Sequence, residues 1–400
     1  MVIDSTSLRS HFPSLDDGVA YFDSPGGTQT PRPVAEAIAT TMLRPLSIRG
    51  TSTASERNAE LVVTEFRAAY ADLLGVPAQG VVHGRSATQL TYDFSRHLAK
   101  AWQPGDEIVI SRLEHDSNVR PWIQAAGRAG VTVRWIDLDG PELDLGSLRR
   151  VLSPRTRLVA VTAASNVLGT IPSVRRIADL AHEAGALLYV DGVHFAAHHL
   201  VDVPGLGADF FVCSPYKFFG PHCGVLAAAP DLLDGLRPDK LLPSSDAVPE
   251  RFEFGTLPYE MLAGATAAVD FLAGIASGAP GAGTSRRDRL ARSFAAIHEH
   301  ETGLLARLEQ GLGDLAVTVH SRAADRTPTT LMSLTGRDAR EAQEYLAGRD
   351  VLAPAGSFYA YEPFTALKLP DPALRVGLAP YNTGEEVDRF LAGLADFLRK

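Results

Sequence analysis

The chain has 400 residues, of which 45% are hydrophobic and 21% charged, with a formal net charge of −9 and a sequence pI near 5.7. That composition provides ample core and a length suited to two domains, and its acidity argues against nucleic acid as a partner. No window approaches 18 uninterrupted apolar residues, and the opening MVIDSTSLRSHF lacks a charged-then-apolar signal pattern, so a soluble, cytoplasmic protein with no membrane contact is expected.

From about residue 60 helical and short apolar segments alternate. Residues 60–74 keep apolar groups at helical spacing up to Gly75, a strand-like VVHG follows, and then a helix beginning at Thr88. Four strands read clearly after that, at EIVIS (107–111), TVRWID (132–137), RLVAVTAAS (157–165) and ALLYVDG (186–192). A fifth is ADFFVCS (208–214), and helical patterns such as PSVRRIADLAHEAG (172–185) separate the strands. Strands alternating with helices, in runs apolar on both faces, predict a mainly parallel sheet covered on both sides. Near residue 256 the rhythm changes. A helix (259–274) leads into SGAPGAGTS (277–285), which reads as a loop. A long amphipathic helix, VTVHS, TTLMSLTG, a helix from Ala339, LRVGLAP and a final helix read as a small α+β unit. The expected organisation is an N-terminal arm (1–20) near the small domain, a large α/β domain (21–260) and a small C-terminal α+β domain (261–400).

Open α/β sheets bind ligands outside the carboxyl ends of their strands. Asn166, Asp191 and Lys217 stand at such ends. Each has a plain reading: Asp191 as a helix N-cap, Lys217 as a surface lysine. Together they suggest a buried carboxylate that needs a cationic partner, such as a protonated pyridine nitrogen. They also suggest a lysine made less basic by burial, able to form a Schiff base with an aldehyde. HFAAHH (194–199) carries an i,i+4 histidine pair without HExxH or a third ligand, so no metal is expected. The two cysteines, Cys213 and Cys223, form neither a disulfide framework nor a zinc motif.

YVDGVH (189–194), SPYKFFGPHCG (214–224), RFEFGT (251–256) and LRVGLAPYNTGEEVD (374–388) together resemble the class V aminotransferases. These are pyridoxal 5'-phosphate (PLP) enzymes of fold type I, and the branch most similar is the cysteine-desulfurase-like one. The resemblance runs from YFDSPGGTQTPRPV (21–34) to the C-terminus. It implies that Lys217 holds the cofactor as a Schiff base and shuttles the substrate Cα proton. Asp191 would pair with the pyridine nitrogen and His115 would stack on the ring. His194, replacing the family's common Gln, and Asn166 would lie near the phenolic oxygen. Ala87 and Thr88 at a helix start would cradle the phosphate with Ser214, and with Tyr216 where many relatives have His. Thr256 would reach the phosphate of a neighbouring subunit, making the protein a homodimer with shared sites. Arg375 would fork onto the substrate carboxylate of an amino acid. Arg49 and Arg57 are further candidates to face the site.

A desulfurase of this type needs a nucleophilic thiolate on a C-terminal loop. In APAGSFYAYEPF (353–364) that position falls at Tyr359, and no cysteine follows Cys223. The expectation is therefore a PLP enzyme acting on an amino acid bound as a Schiff base, by β-elimination or C–S lysis without an enzyme thiol. Aminotransfer and epimerisation are the alternatives. A non-catalytic PLP-fold protein is a weaker one, disfavoured by the retention of Lys217, Asp191 and Arg375.

Overall fold

A computed structural model describes residues 3–276 and 284–400. The glycine-rich stretch read as a loop lies outside those residues except for Thr284 and Ser285, and the Ser285 hydroxyl caps the helix that follows. Seven strands build the larger sheet. They are β1 (Val81–Gly84), β2 (Glu107–Ser111), β3 (Thr132–Ile136), β4 (Thr156–Thr162), β5 (Leu187–Asp191), β6 (Phe210–Cys213) and β7 (Gly224–Ala228). Their spatial order is β1-β7-β6-β5-β4-β2-β3. Only β7 runs against its neighbours. The sheet is mainly parallel, as expected, but β7 is a strand the sequence pattern did not single out. The ten residues between β6 and β7 are too few for a parallel crossover, so the chain returns antiparallel beside β6. That return loop carries Lys217.

Helices cover both faces. On one side α1 (Ala54–Leu74), α4 (Val174–Glu183) and α5 (Tyr259–Leu272) share a core with Phe211, Val225 and Val190; on the other α2 (Ala87–Ala99) and α3 (Arg120–Ala129) pack on Ile110, Tyr189 and Phe210. Each fully buried Phe or Leu in these layers contributes roughly 1.5–3 kcal/mol. Helix α1 starts at Ala54, six residues earlier than its apolar spacing indicates, because Thr53 and Glu56 form a capping box, and it ends at Gly75 in left-handed conformation. Edge strand β3 alone alternates exposed and half-buried residues.

A second, antiparallel sheet has the order β8 (Val317–Val319), β9 (Thr329–Leu334), β11 (Ala373–Gly377), β10 (Ala355–Gly356). The end of α6 (Arg286–Leu312), with α7 (Ala339–Ala347) and α8 (Gly384–Arg399), covers it through Leu308, Leu346 and Phe390. A separate apolar cluster of Leu113, Val167, Leu168, Leu331, Ala360 and Phe364 ties the loops after β2 and β4 to this smaller sheet. The N-terminal residues lie across both parts: Phe12 meets Phe219, Phe271 and Tyr381 edge-on, and Arg9 pairs with Glu386. Among the described residues no helix is long and apolar enough to cross a membrane.

Candidate active site

Strand order reverses between β2 and β4: the chain proceeds from β2 outward to β3, then from β4 the opposite way to β5 and β6. At such a switch point the loops leaving the carboxyl ends diverge and open a crevice. A cavity of about 70 Å³ lies there, bounded by Ala87, Thr88, His115, Asn166, Asp191, His194, Ser214, Tyr216 and Lys217 among others. It adjoins a cleft of about 600 Å³ that also takes in Phe358, Tyr359 and Arg375.

Lys217 closes the single turn Pro215–Lys217 after β6 and is 9% exposed. Burial, reinforced by the positive charge of Arg375 and opposed by Asp191, pushes its ammonium pKa down to about 7. Its Nζ donates to the carbonyl of Pro25. Asp191 ends β5 and accepts the N–H of Val193 at 2.9 Å, so it closes a tight turn and is not the N-cap of the following helical turn, which starts from His194. Burial pushes its carboxyl up to about 6, against the pull of that N–H, of Lys217 and of the Ser117 hydroxyl. Gly192 follows because a Cβ there would sit 1.8 Å from the Phe211 ring.

His115 accepts the Ser117 N–H on Nδ1 at 3.1 Å, which places the proton of the neutral ring on Nε2. Burial, with Lys217 and Arg375 nearby, lowers its pKa to about 4. His194 is buried, and its Nε2 lies 2.9 Å from the hydroxyls of both Thr327 and Thr329. Among the described residues its Nδ1 is buried without a partner, as is Oδ1 of Asn166. Of the other histidines in HFAAHH, His198 pairs with Glu301 and His199 stacks on Phe195.

At the start of α2 the Ser86 hydroxyl accepts from the N–H of Gln89, leaving the N–H groups of Ala87 and Thr88 without intrahelical acceptors at the cavity wall. Ser214 is buried beside them, and the Tyr216 ring stacks on His222 with centroids 4.9 Å apart. Arg375, on β11, is 3% exposed and donates from Nη1 to the Asn166 carbonyl at 2.9 Å. Burial lowers its pKa to about 9. Tyr359 is 77% exposed at the mouth of the cleft.

One expectation is corrected. Arg49 does not face this site but is held by Glu60 and Glu250, and Arg57 caps the carbonyls of Thr51 and Ser52. Thr256 is exposed and lines neither cavity of its own chain. Ser117, Thr327, Thr329 and Phe358 touch side chains of the site and were not anticipated. Ser117, two residues after His115, carries a local signal in its serine-turn spacing. Thr327, Thr329 and Phe358 carry none, since the small sheet and its loop bring them in from far along the chain.

The cavity therefore holds a low-pKa lysine, a buried carboxylate lacking a fixed cation, free helix N–H groups and two orphaned polar atoms. That set fits an anionic, aldehyde-bearing heteroaromatic cofactor with an acidic phenol, and with this sheet it defines a pyridoxal-phosphate-dependent enzyme of fold type I. The family model for aminotransferase class-V matches residues 20–390, and the chain belongs to that family. It is 32% identical to "Aminotransferase-like protein FGM3" of Gibberella zeae across 97% of each chain. It is 31% identical to a cysteine desulfurase of Dickeya dadantii across 97% of this chain and 95% of that one. The solved cysteine desulfurase CsdA of Escherichia coli superposes with a TM-score of 0.87, at 26% identity and over 100% and 99% of the two chains.

Proposed function

We propose that the enzyme carries out β-elimination, with C–S bond lysis, on a cysteine-like amino acid, releasing the β-thiol directly instead of passing sulfur to a protein cysteine. The carrying observation is the fate of its thiols. The chain has only Cys213 and Cys223, both buried. Burial raises both thiols, Cys223 to about 12, so neither is a thiolate at neutral pH. At the loop position where such a cysteine would stand, Tyr359 is exposed.

Pyridoxal phosphate supplies the electron sink for charge developing at the substrate Cα. Lys217 would hold its aldehyde, and as a free amine with a pKa near neutrality it would take the Cα proton. Asp191 would keep the ring nitrogen protonated, and His115 would cover the ring face. The unpartnered Nδ1 of His194 and Oδ1 of Asn166 would lie near the phenolic oxygen. The N–H groups of Ala87 and Thr88, the Thr88 and Ser214 hydroxyls and Tyr216 would hold the phosphate, while Arg375 would take the substrate carboxylate. Thr256 serves the phosphate of the other subunit in a cytoplasmic homodimer. Its exposure, and that of Leu43, Leu242 and Phe254, supports such an interface. The division into arm (1–20), large (21–260) and small (261–400) domains belongs to the same reading.

One observation favours a second reading. The cleft beside Lys217 is far wider than a cysteine side chain needs, which suits aminotransfer or epimerisation of a bulkier amino acid. Incubation of the holoenzyme with a panel of amino acids separates the readings. Pyruvate, ammonia and sulfide from cysteine support elimination; 2-oxo acids indicate aminotransfer; Cα–H exchange into deuterated solvent with neither product indicates epimerisation. Borohydride reduction should fix the cofactor on Lys217, and a Lys217→Ala protein that still gives a reduced adduct removes the assignment.

A further inference from the structure

The turn 357–360 is fastened to the site by its own backbone. Phe358 and Tyr359 adopt φ of 54° and 56°, two consecutive aromatic residues in the left-handed region that favours glycine. Such a conformation persists where the surroundings over-determine it. Here the Phe358 carbonyl accepts from Asn166 Nδ2 at 3.0 Å, and the Tyr359 carbonyl accepts from the N–H of Asp116 at 2.8 Å. The N–H of Ala360 closes the turn on the Ser357 carbonyl at 2.9 Å.

This conformation puts the Phe358 ring against Arg375, with the guanidinium carbon 3.8 Å from the ring centroid. The same guanidinium donates to the Asn166 carbonyl, so Asn166, Phe358 and Arg375 form a closed ring of three contacts. Among the described residues no carboxylate lies within ion-pair distance of Arg375, Asp23 being near enough only to raise its pKa, and its Nε is buried without a partner. One face of the cation is covered and one corner tied, while donors remain for an anion in the cleft. A planar fork captures a carboxylate bidentately only when its plane is held.

We propose that Phe358 is a positioning residue: the turn 357–360 is a fixed aromatic brace that holds the Arg375 plane for the carboxylate of an α-amino acid. The turn is thus a wall of the site and not a swinging carrier arm. The proposal rests on the reading of Arg375 as the carboxylate-binding group, and the test separates the two.

Holoenzyme is titrated with glycine and with methylamine, which differ by the carboxylate, and binding is followed through the cofactor absorbance. Wild type should bind glycine more tightly. Phe358→Leu, which keeps bulk but removes the ring quadrupole, should cut that advantage about tenfold, the size expected of a desolvated cation–π contact. Methylamine affinity should stay unchanged, and Phe358→Tyr should restore the advantage. Should the Leu variant lose its cofactor, Phe358→Met takes its place. An unaltered glycine-to-methylamine ratio in Phe358→Leu, alongside a lost advantage in Arg375→Lys, overturns the brace alone. Persistence of the advantage in Arg375→Lys overturns the carboxylate role of Arg375, and the brace with it.

Discussion

The Ser117 hydroxyl lies 2.8 Å from Nδ1 of His115, and the Ser117 N–H donates to the same nitrogen at 3.1 Å. The hydroxyl also lowers the pKa of Asp191 against the effect of burial. One small residue thus serves both the histidine and the carboxylate that face the cofactor cavity.

Ser117→Ala should raise the Asp191 pKa above its value of about 6, leaving more of the carboxyl protonated in mildly acid solution. A protonated carboxyl is a poorer partner for a ring N–H⁺. Cofactor affinity, measured by titrating the apo protein, should fall about tenfold at pH 6, the size of a hydrogen bond to a charged group. The loss at pH 8 should be small. An equal loss at both pH values would count against this role.

Lys217→Met should change how stability depends on pH. Burial lowers the lysine from 10.5 to about 7. Between those values the unfolded chain binds a proton that the folded apo protein does not, so this group makes stability rise with pH, with its full cost below pH 7. Urea denaturation of apo protein at pH 7 and 9 should show the variant lacking roughly 2 kcal/mol of rise relative to wild type. Parallel pH profiles would mean that the lysine is not desolvated as described.

Glu114→Ala should destabilise the large sheet by about 3 kcal/mol, the cost of breaking a buried polar network. Glu114 is fully buried, takes the Thr162 N–H at 2.7 Å and the Asn118 amide at 2.7 Å, and Asn118 in turn accepts the Trp122 indole N–H at 2.9 Å. A shift in urea midpoint with an unchanged slope checks the size of the effect. Tryptophan emission should red-shift if Trp122 loses its place.

The double variant Cys213→Ala/Cys223→Ala should retain turnover within about threefold on whichever amino acid the wild type consumes. Neither buried thiol can ionise near neutrality, so neither can act as nucleophile. Loss of turnover in a double variant that keeps its cofactor and its melting temperature would reverse the elimination reading. Iodoacetamide should leave the native wild type unlabelled.

Much of the site was legible from the chain because parallel strands deliver their carboxyl ends to one edge. Asn166, Asp191 and Lys217 each follow an apolar run, and the three runs lie side by side as β4, β5 and β6. The start of α2 was legible for a similar reason, since Ser86 and the Thr88 that follows carry a local capping pattern. Arg49 was misplaced because a charge alone says nothing of its partner, and the two glutamates that hold it come from α1 and from a turn about 200 residues on.

Local pattern in the sequence determined the strands, the helix starts and the reactive types at strand ends, because capping, periodicity and backbone preference act over a few residues. Only the tertiary structure decided that His194 meets Thr327, 133 residues away. It also decided that Phe358 lies against Arg375. Those contacts exist because the small sheet docks on the loops of the large one through Leu113, Val167 and Leu331. Packing between surfaces distant along the chain sets which side chains meet, and no short-range pattern encodes it.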